Sequence, residues 1–332
     1  MFAYTARRLL ALIPTLLVIS FIIFVIIQLP PGDYLETMVA ELQAQGEAVS
    51  PDKIQFLREQ YGLDKSYLLR YAEWVWGLLN GDMGFSFEYR LPVSELIGDR
   101  LELTVVVAVS TIIFVYLVSF PIGIYSAVNQ YSKGDYFWSF IGFLGMATPD
   151  FLLALVVMAY FNDWFGISIG GLMDPQFEGA AWSWAKVQSV LLHLWAPIIV
   201  IGTSGTASMI RKLRANLLDE LDKQYVVTAR SKGLSERRLL FKYPLRLALN
   251  PFVAELGSLL PRVISGAAII AVVMDLPTTG KLLVDALLSQ DMYLAGSFLM
   301  FQSLLVVIGF LVSDLLLGVL DPRIRLTGGA TK

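Results

Sequence analysis

The chain has 332 residues, 56% hydrophobic and 16% charged, with a mean hydropathy of +0.64 and a formal net charge of −3. A soluble domain carries roughly a quarter charged residues, so the deficit indicates a membrane protein. Cysteine is absent and His193 is the single histidine, which excludes disulfides, thiolate metal sites, Cys nucleophiles and a His-rich metal site within the chain.

A membrane helix needs about 20 mostly apolar residues. Six segments qualify, at roughly 9–29, 103–128, 136–161, 190–210, 248–274 and 294–320. The first follows Arg7 and Arg8, as the apolar run of a secretory leader would. It is longer than the roughly 7–15 residues of such a run, and Pro30, Pro31, Gly32 and Asp33 follow in place of a cleavage site. It reads as a retained transmembrane helix.

The next stretch, 30–101, is polar enough to lie outside the bilayer. Apolar residues Ile54, Phe56, Leu57 and Tyr61 recur near helical spacing within 51–64, and Gly62 suits a helix end. Leu68, Leu69, Tyr71, Trp74, Val75 and Leu78 repeat the pattern within 66–82, which closes on Asn80-Gly81. Two short amphipathic helices are expected there, with an aromatic density suited to an interface.

Lys and Arg in the connections set the orientation. The segment 211–247 carries ten of them against four acids, whereas 29–101 holds twelve acids against six bases. Arg7 and Arg8, the 211–247 segment and Arg323, Arg325 and Lys332 all fall on one side of a six-helix path. Both termini are therefore expected in the cytoplasm. The expected organisation is a first helix at 1–29, an external helical segment at 30–101, a five-helix core at 102–322 and a tail at 323–332.

The basic segment has its own pattern. Leu218, Leu221, Tyr225 and Ala229 are three, four and four residues apart and form one apolar stripe on a helix expected over 217–233. Lys232 then Gly233 supply a cation in the last turn and a glycine just past it. Ser235 opens a second short helix to about Tyr243, and Pro244 and Pro251 precede the fifth apolar segment. A loop that only fixed topology would need the charges but not the stripe or the placed glycine. The pattern reads as a docking helix: Ala229 and Gly233 would let a partner approach closely, and Arg230 and Lys232 would pair with its acids.

The run Tyr225-Val-Val-Thr-Ala-Arg-Ser-Lys-Gly-Leu-Ser-Glu-Arg-Arg resembles the cytoplasmic signature loop of ABC importer permeases. The wording is most similar to the first permease of the dipeptide/oligopeptide/nickel family. ARRLLALIPTLLVISFIIFVIIQLPPGD, REQYGLDKSYLLRYAEWVWGLLNGDMGFSF and SDLLLGVLDPRIR resemble other parts of that family in the same order. Gln224, Ala271 and Pro277-Thr-Thr-Gly280 depart from its usual pattern.

The resemblance implies an all-α integral membrane protein with a type I (MetI-like) core of six transmembrane helices and an external helical insertion between the first two. It implies a bacterial or archaeal inner-membrane location. The expected partners are a second homologous permease, two ABC ATPase subunits and an extracytoplasmic solute-binding protein. Leu221, Tyr225, Ala229, Arg230, Lys232 and Gly233 become the expected ATPase-coupling residues. Neither GxxxxGK[ST] nor GxGxxG occurs, so ATP is expected on the partner subunits, with no cofactor, no nucleic acid and no enzymatic activity on this chain. The transported solute would be an oligopeptide, with an oligosaccharide as the alternative.

Charges within apolar segments mark further candidate sites. A charge at mid-bilayer is unfavourable by at least about 2.5 kcal/mol on insertion scales and requires a partner or water. Asp150, Glu255 and Arg262 are the candidates for a translocation path or a subunit seam, while Asp314 lies nearer a helix end. Two other readings compete. Gly202-Thr-Ser204-Gly205 with His193 could suit an intramembrane serine protease, but eleven residues along one helix separate His193 and Ser204 by roughly 16 Å. Small residues for tight helix contact explain the run better. A secondary transporter or channel would explain the buried charges but not the docking helix, and no internal repeat is evident.

Overall fold

The computed structural model describes residues 2–29, 34–44, 50–60, 62–165 and 169–320. Among these residues there is no strand, only a single bridge between Phe85 and Pro92. The helices run in order: α1 (Phe2–Gln28), α2 (Tyr34–Ala44), α3 (Pro51–Gln60), α4 (Tyr67–Leu79), α5 (Val93–Val128), α6 (Lys133–Ala147) and α7 (Asp150–Phe165). After a short 3-10 turn come α8 (Trp184–Leu221), α9 (Gln224–Ser231), α10 (Glu236–Lys242), α11 (Pro244–Ala248), α12 (Asn250–Val273), α13 (Thr279–Leu288) and α14 (Met292–Leu320). The Pro-Gly-Asp exit at 31–33, Tyr61 and the tail from 321 lie outside the described residues.

All six expected apolar segments fall on helices. Four are long and apolar enough to cross a membrane alone: Leu9–Gln28, Val93–Val128, Trp184–Leu221 and Met292–Leu315. The third expected segment is two helices, α6 and α7, meeting at 100°. Its cause is Pro149, which has no N–H to donate and drives the preceding Thr148 into extended backbone at φ −87°, ψ 120°. Within α12, Arg262–Val273 is an apolar stretch shorter than a full span. The helices α2 and α13 are additions that the sequence pattern did not indicate.

The chain divides into two compact units. One comprises Ala6–Leu103 and Thr278–Leu305. In it Ile23 and Phe24 of α1, Trp74 of α4 and Met292 of α14 form a buried apolar cluster. The turn after α3 ends as expected, with Gly62 at φ +65° and the Leu63 N–H returning to the Arg58 carbonyl at 2.9 Å.

A buried carboxylate organises the same unit. Asp291, fully buried just before α14, accepts from the Leu294 N–H at 3.2 Å through Oδ1. Its Oδ2 accepts from Ser86 Oγ at 2.6 Å and from the Glu88 N–H at 3.2 Å. One side chain thus caps a helix and pins the connection between α4 and α5. Asp291→Ala is expected to lower stability by about 2–4 kcal/mol, combining a lost cap with a stranded buried hydroxyl. A fall in the thermal midpoint of the purified protein would show it; an unchanged midpoint would refute this role.

The other unit consists chiefly of Thr104–Pro277 with the chain from Val306 onward. Its centre is α8, which packs against α6, α7, α11 and α12. Met209, Leu213 and Leu217 of α8 join Val115 and Ala127 of α5, Leu245 and Ala248 of α11 and Phe252 of α12 in one buried cluster. Close approach depends on missing side chains. A Cβ on Gly202 would stand 2.8 Å from the Phe114 ring, so the small residues of this run serve helix contact. Gly202→Leu is expected to destabilise by about 1–3 kcal/mol through overpacking, read as loss of folded protein on size exclusion.

The start of α6 is tied to α8 by a two-pronged ion pair. Arg214 donates from Nε to Asp135 Oδ1 and from Nη2 to Oδ2, both at 2.8 Å. The Asp135 side chain is 3% exposed and that of Arg214 26%. Asp135 also accepts from the Tyr131 N–H at 2.9 Å, holding Tyr131 at φ +62°. Ser132 caps α6 by accepting from the Asp135 N–H.

Candidate functional site

The basic segment folds as a helical knuckle. Helix α8 runs to Leu221, the chain turns at Asp222 and Lys223, and a separate eight-residue α9 follows. The expected single helix over 217–233 is thus two elements. Leu221 belongs to α8 and packs on the buried cluster around Leu217. Lys223 is extended, at φ −72°, ψ 148°, and its carbonyl accepts from the Val226 N–H at 2.9 Å to start α9.

Gly233 ends α9 as the sequence indicated. Its φ is +79°, its N–H donates to the Arg230 carbonyl at 3.0 Å, and the Leu234 N–H reaches Ala229 O at 3.4 Å. A side chain at 233 would meet nothing within 4 Å, so the requirement is for the left-handed backbone and not for space. Beyond the turn, Arg230 Nε donates to Glu236 Oε1 at 2.7 Å. Both side chains are more than half exposed, so the pair adds little stability and fixes geometry instead. The Arg230 guanidinium holds the Glu236 carboxyl below its usual range, so the pair persists in mild acid and is lost only as pH falls through that lowered value.

The faces of α9 are sorted differently from the expectation. Val226 and Ala229 are buried against Leu239 of α10, with Tyr225 partly buried on the same cluster. The Tyr225 hydroxyl donates to Glu220, and burial together with that carboxylate raises its pKa. The apolar stripe is therefore split: Leu218 and Leu221 pack on the cluster around Leu217, while Tyr225 and Ala229 face the protein's own α10, and Ala229 is covered. The outward face carries Val227, Thr228, Arg230, Ser231 and Lys232. Val227 is 47% exposed and was not singled out by the stripe, which selects inward positions.

The three intramembrane candidates lie together. Asp150 at the start of α7 and Glu255 and Arg262 on α12 line one cavity of about 210 Å³. Ser204, Ser208 and Lys212 of α8 and Thr111 and Tyr116 of α5 add to its polar wall. Ser204 Oγ donates to Asp150 Oδ2 at 3.3 Å, and Lys212 Nζ donates to Glu255 Oε1 at 2.7 Å. Lys212 was counted by sequence among the basic-segment charges, but α8 carries it to the cavity. The positions seven apart on α12 face the same space, as helical periodicity requires.

His193 and Ser204 do not pair. His193 Nδ1 lies 2.8 Å from the Ser189 carbonyl, one turn back on α8, and its Nε2 is 4.0 Å from Asp174. Ser204 is engaged with Asp150 instead.

Comparison with known proteins matches this architecture over nearly the whole chain. Residues 119–326 match the family described as "Binding-protein-dependent transport system inner membrane component". Residues 1–108 match the companion model "Binding-prot-dependent transport system membrane comp, N-term". The chain is 34% identical to the oligopeptide transport system permease protein AppB of Bacillus subtilis, covering 98% of this chain and 100% of the relative. It is 32% identical to the peptidoglycan transport system permease protein YejB of Agrobacterium fabrum, covering 97% and 98%. Identity to the dipeptide transport system permease protein DppB of Escherichia coli K12 is 30%, over 98% and 99%. With apolar spanning helices, a polar cavity among them and full-length likeness to permeases, the chain belongs to the family of binding-protein-dependent transport system inner membrane components, as an ABC importer permease.

Proposed function

We propose that the chain is one of two homologous permeases in an ATP-driven importer of peptides. A solute-binding protein delivers the peptide outside, and two ATPase subunits grip the α9–Gly233–α10 knuckle inside. Closure of the ATPase pair moves the knuckle, and the helices around the cavity switch between outward and inward access. Asp150, Glu255 and Arg262 line the half-path contributed by this chain. The observation that carries the reading is the knuckle itself: a short helix closed by a left-handed glycine, with an exposed face of Val227, Thr228, Arg230 and Ser231. The relatives named for oligopeptide, dipeptide and peptidoglycan transport support a peptide-bearing solute.

Proteoliposomes holding the full complex, with loaded binding protein, test the function. Labelled peptide is expected to accumulate only when ATP is present. Uptake without ATP would overturn the importer reading, and uptake of oligosaccharide but not peptide would reassign the solute. Sidedness has its own test, because the chain has no cysteine. Ser231→Cys is expected to react with an impermeant maleimide only in inverted vesicles; labelling of intact cells would reverse the orientation.

A further inference from the structure

The cavity between α7, α8 and α12 is balanced in charge. Asp150 and Glu255 supply two carboxylates, and Lys212 and Arg262 supply two cations, around about 210 Å³ of space. Thr111 of α5 lines the same cavity, is 1% exposed, and its Oγ1 has no hydrogen-bond partner among the described residues. A buried hydroxyl is nearly always satisfied, so this one indicates a polar occupant, water or solute. Across the cavity an ammonium already meets a carboxylate: Lys212 Nζ donates to Glu255 Oε1 at 2.7 Å. Two acids and two bases around one small space match a solute that carries one charge of each sign.

We propose that this cavity is a transit site for a zwitterionic peptide, in which Asp150 and Glu255 receive the peptide ammonium and Lys212 and Arg262 its carboxylate. The proposal rests on the peptide-importer reading above. An incoming peptide exchanges with the Lys212–Glu255 pair: its ammonium takes the place of Lys212 on Glu255, and its carboxylate takes the place of Glu255 on Lys212. Charge is conserved at every stage, so no bare ion is left in the membrane. A polar but uncharged sugar offers no such exchange and would leave the four charges paired among themselves. The Lys212–Glu255 side chains are 44% and 33% exposed, so solvent screening leaves the site holding the solute weakly enough to release it, as passage requires.

The test compares a tripeptide with its C-terminal amide, both delivered by the same binding protein to the reconstituted complex. The receptor is unchanged between wild type and variants, so its own preference cancels in the ratio. Arg262→Gln is expected to slow uptake of the free peptide about tenfold, the scale of one charged hydrogen bond, while slowing the amide less than twofold. Arg262→Lys should restore most of the free-peptide rate. Asp150→Asn should show the complementary pattern with an N-acetylated peptide. Equal slowing of free and blocked peptides would overturn the zwitterion site while leaving the peptide importer intact. Absence of any peptide uptake by wild type would overturn the importer reading instead.

Discussion

Arg214→Ala is expected to destabilise the protein by about 3–5 kcal/mol, the scale for stripping one partner from a buried ion pair. The reason lies in Asp135, whose carboxylate is almost fully buried and receives two charged hydrogen bonds from Arg214. Without the guanidinium, the Tyr131 N–H at 2.9 Å remains but the charge is uncompensated. The turn at Tyr131 and the start of α6 would loosen together. Arg214→Lys keeps a charge but not the planar fork, so it should lie between wild type and alanine. The double change Asp135→Leu with Arg214→Met should be milder than Arg214→Ala alone, because no charge is left behind. Thermal midpoints and monodisperse yield of the three variants would establish this order. A double variant as unstable as the single one would refute an electrostatic origin.

Gly233→Val is expected to reduce ATP-driven uptake at least about tenfold while the protein still assembles in the membrane. The backbone at 233 is left-handed, a region that disfavours a β-branched residue by about 1–2 kcal/mol or more. Open space around the position removes steric crowding as an explanation. The predicted ranking is therefore conformational: Asn close to Gly, then Ala, then Val. In this ranking ATP hydrolysis should fall less than uptake, since the misplaced knuckle disconnects two steps without touching the nucleotide. Paired measurements of hydrolysis and uptake in proteoliposomes would check it. Normal uptake with valine at 233 would remove the knuckle from the coupling path.

The apolar runs, the basic segment and the glycine helix ends were legible because each is a local signal. A run of twenty apolar residues, or Lys232-Gly233 after a helical stretch, needs no tertiary information. The break at Asp222 was not, since no glycine or proline marks it; the chain leaves the helical region at Lys223, at φ −72°, ψ 148°. Ala229 faces inward for a similar reason: a stripe shows which residues share a face, not which neighbour covers it. The placement of Lys212 was hidden by length. At 38 residues α8 extends about 57 Å, well beyond the hydrocarbon thickness, so a charge assigned to a loop still belongs to the helix. The grouping of Asp150 with Glu255 and Arg262 joins two separate stretches and required the fold to bring α7 and α12 together beside α8.

The right-angled junction of α6 and α7 has a mechanical consequence. At Thr148 and Pro149 the ladder of backbone bonds is already interrupted, since Pro149 donates nothing and α7 begins afresh with Leu152 and Leu153 bonded to the Pro149 carbonyl. Opening or closing that corner needs only torsional rotation at a few residues, whereas flexing an unbroken rod would rupture hydrogen bonds inside oil. The protein thus has an elbow whose forearm is bolted to α8 by Asp135 and whose upper arm rests on α12 beside the charged chamber. A change of angle there would alter the chamber's width without breaking the helical hydrogen bonds within α6 or α7.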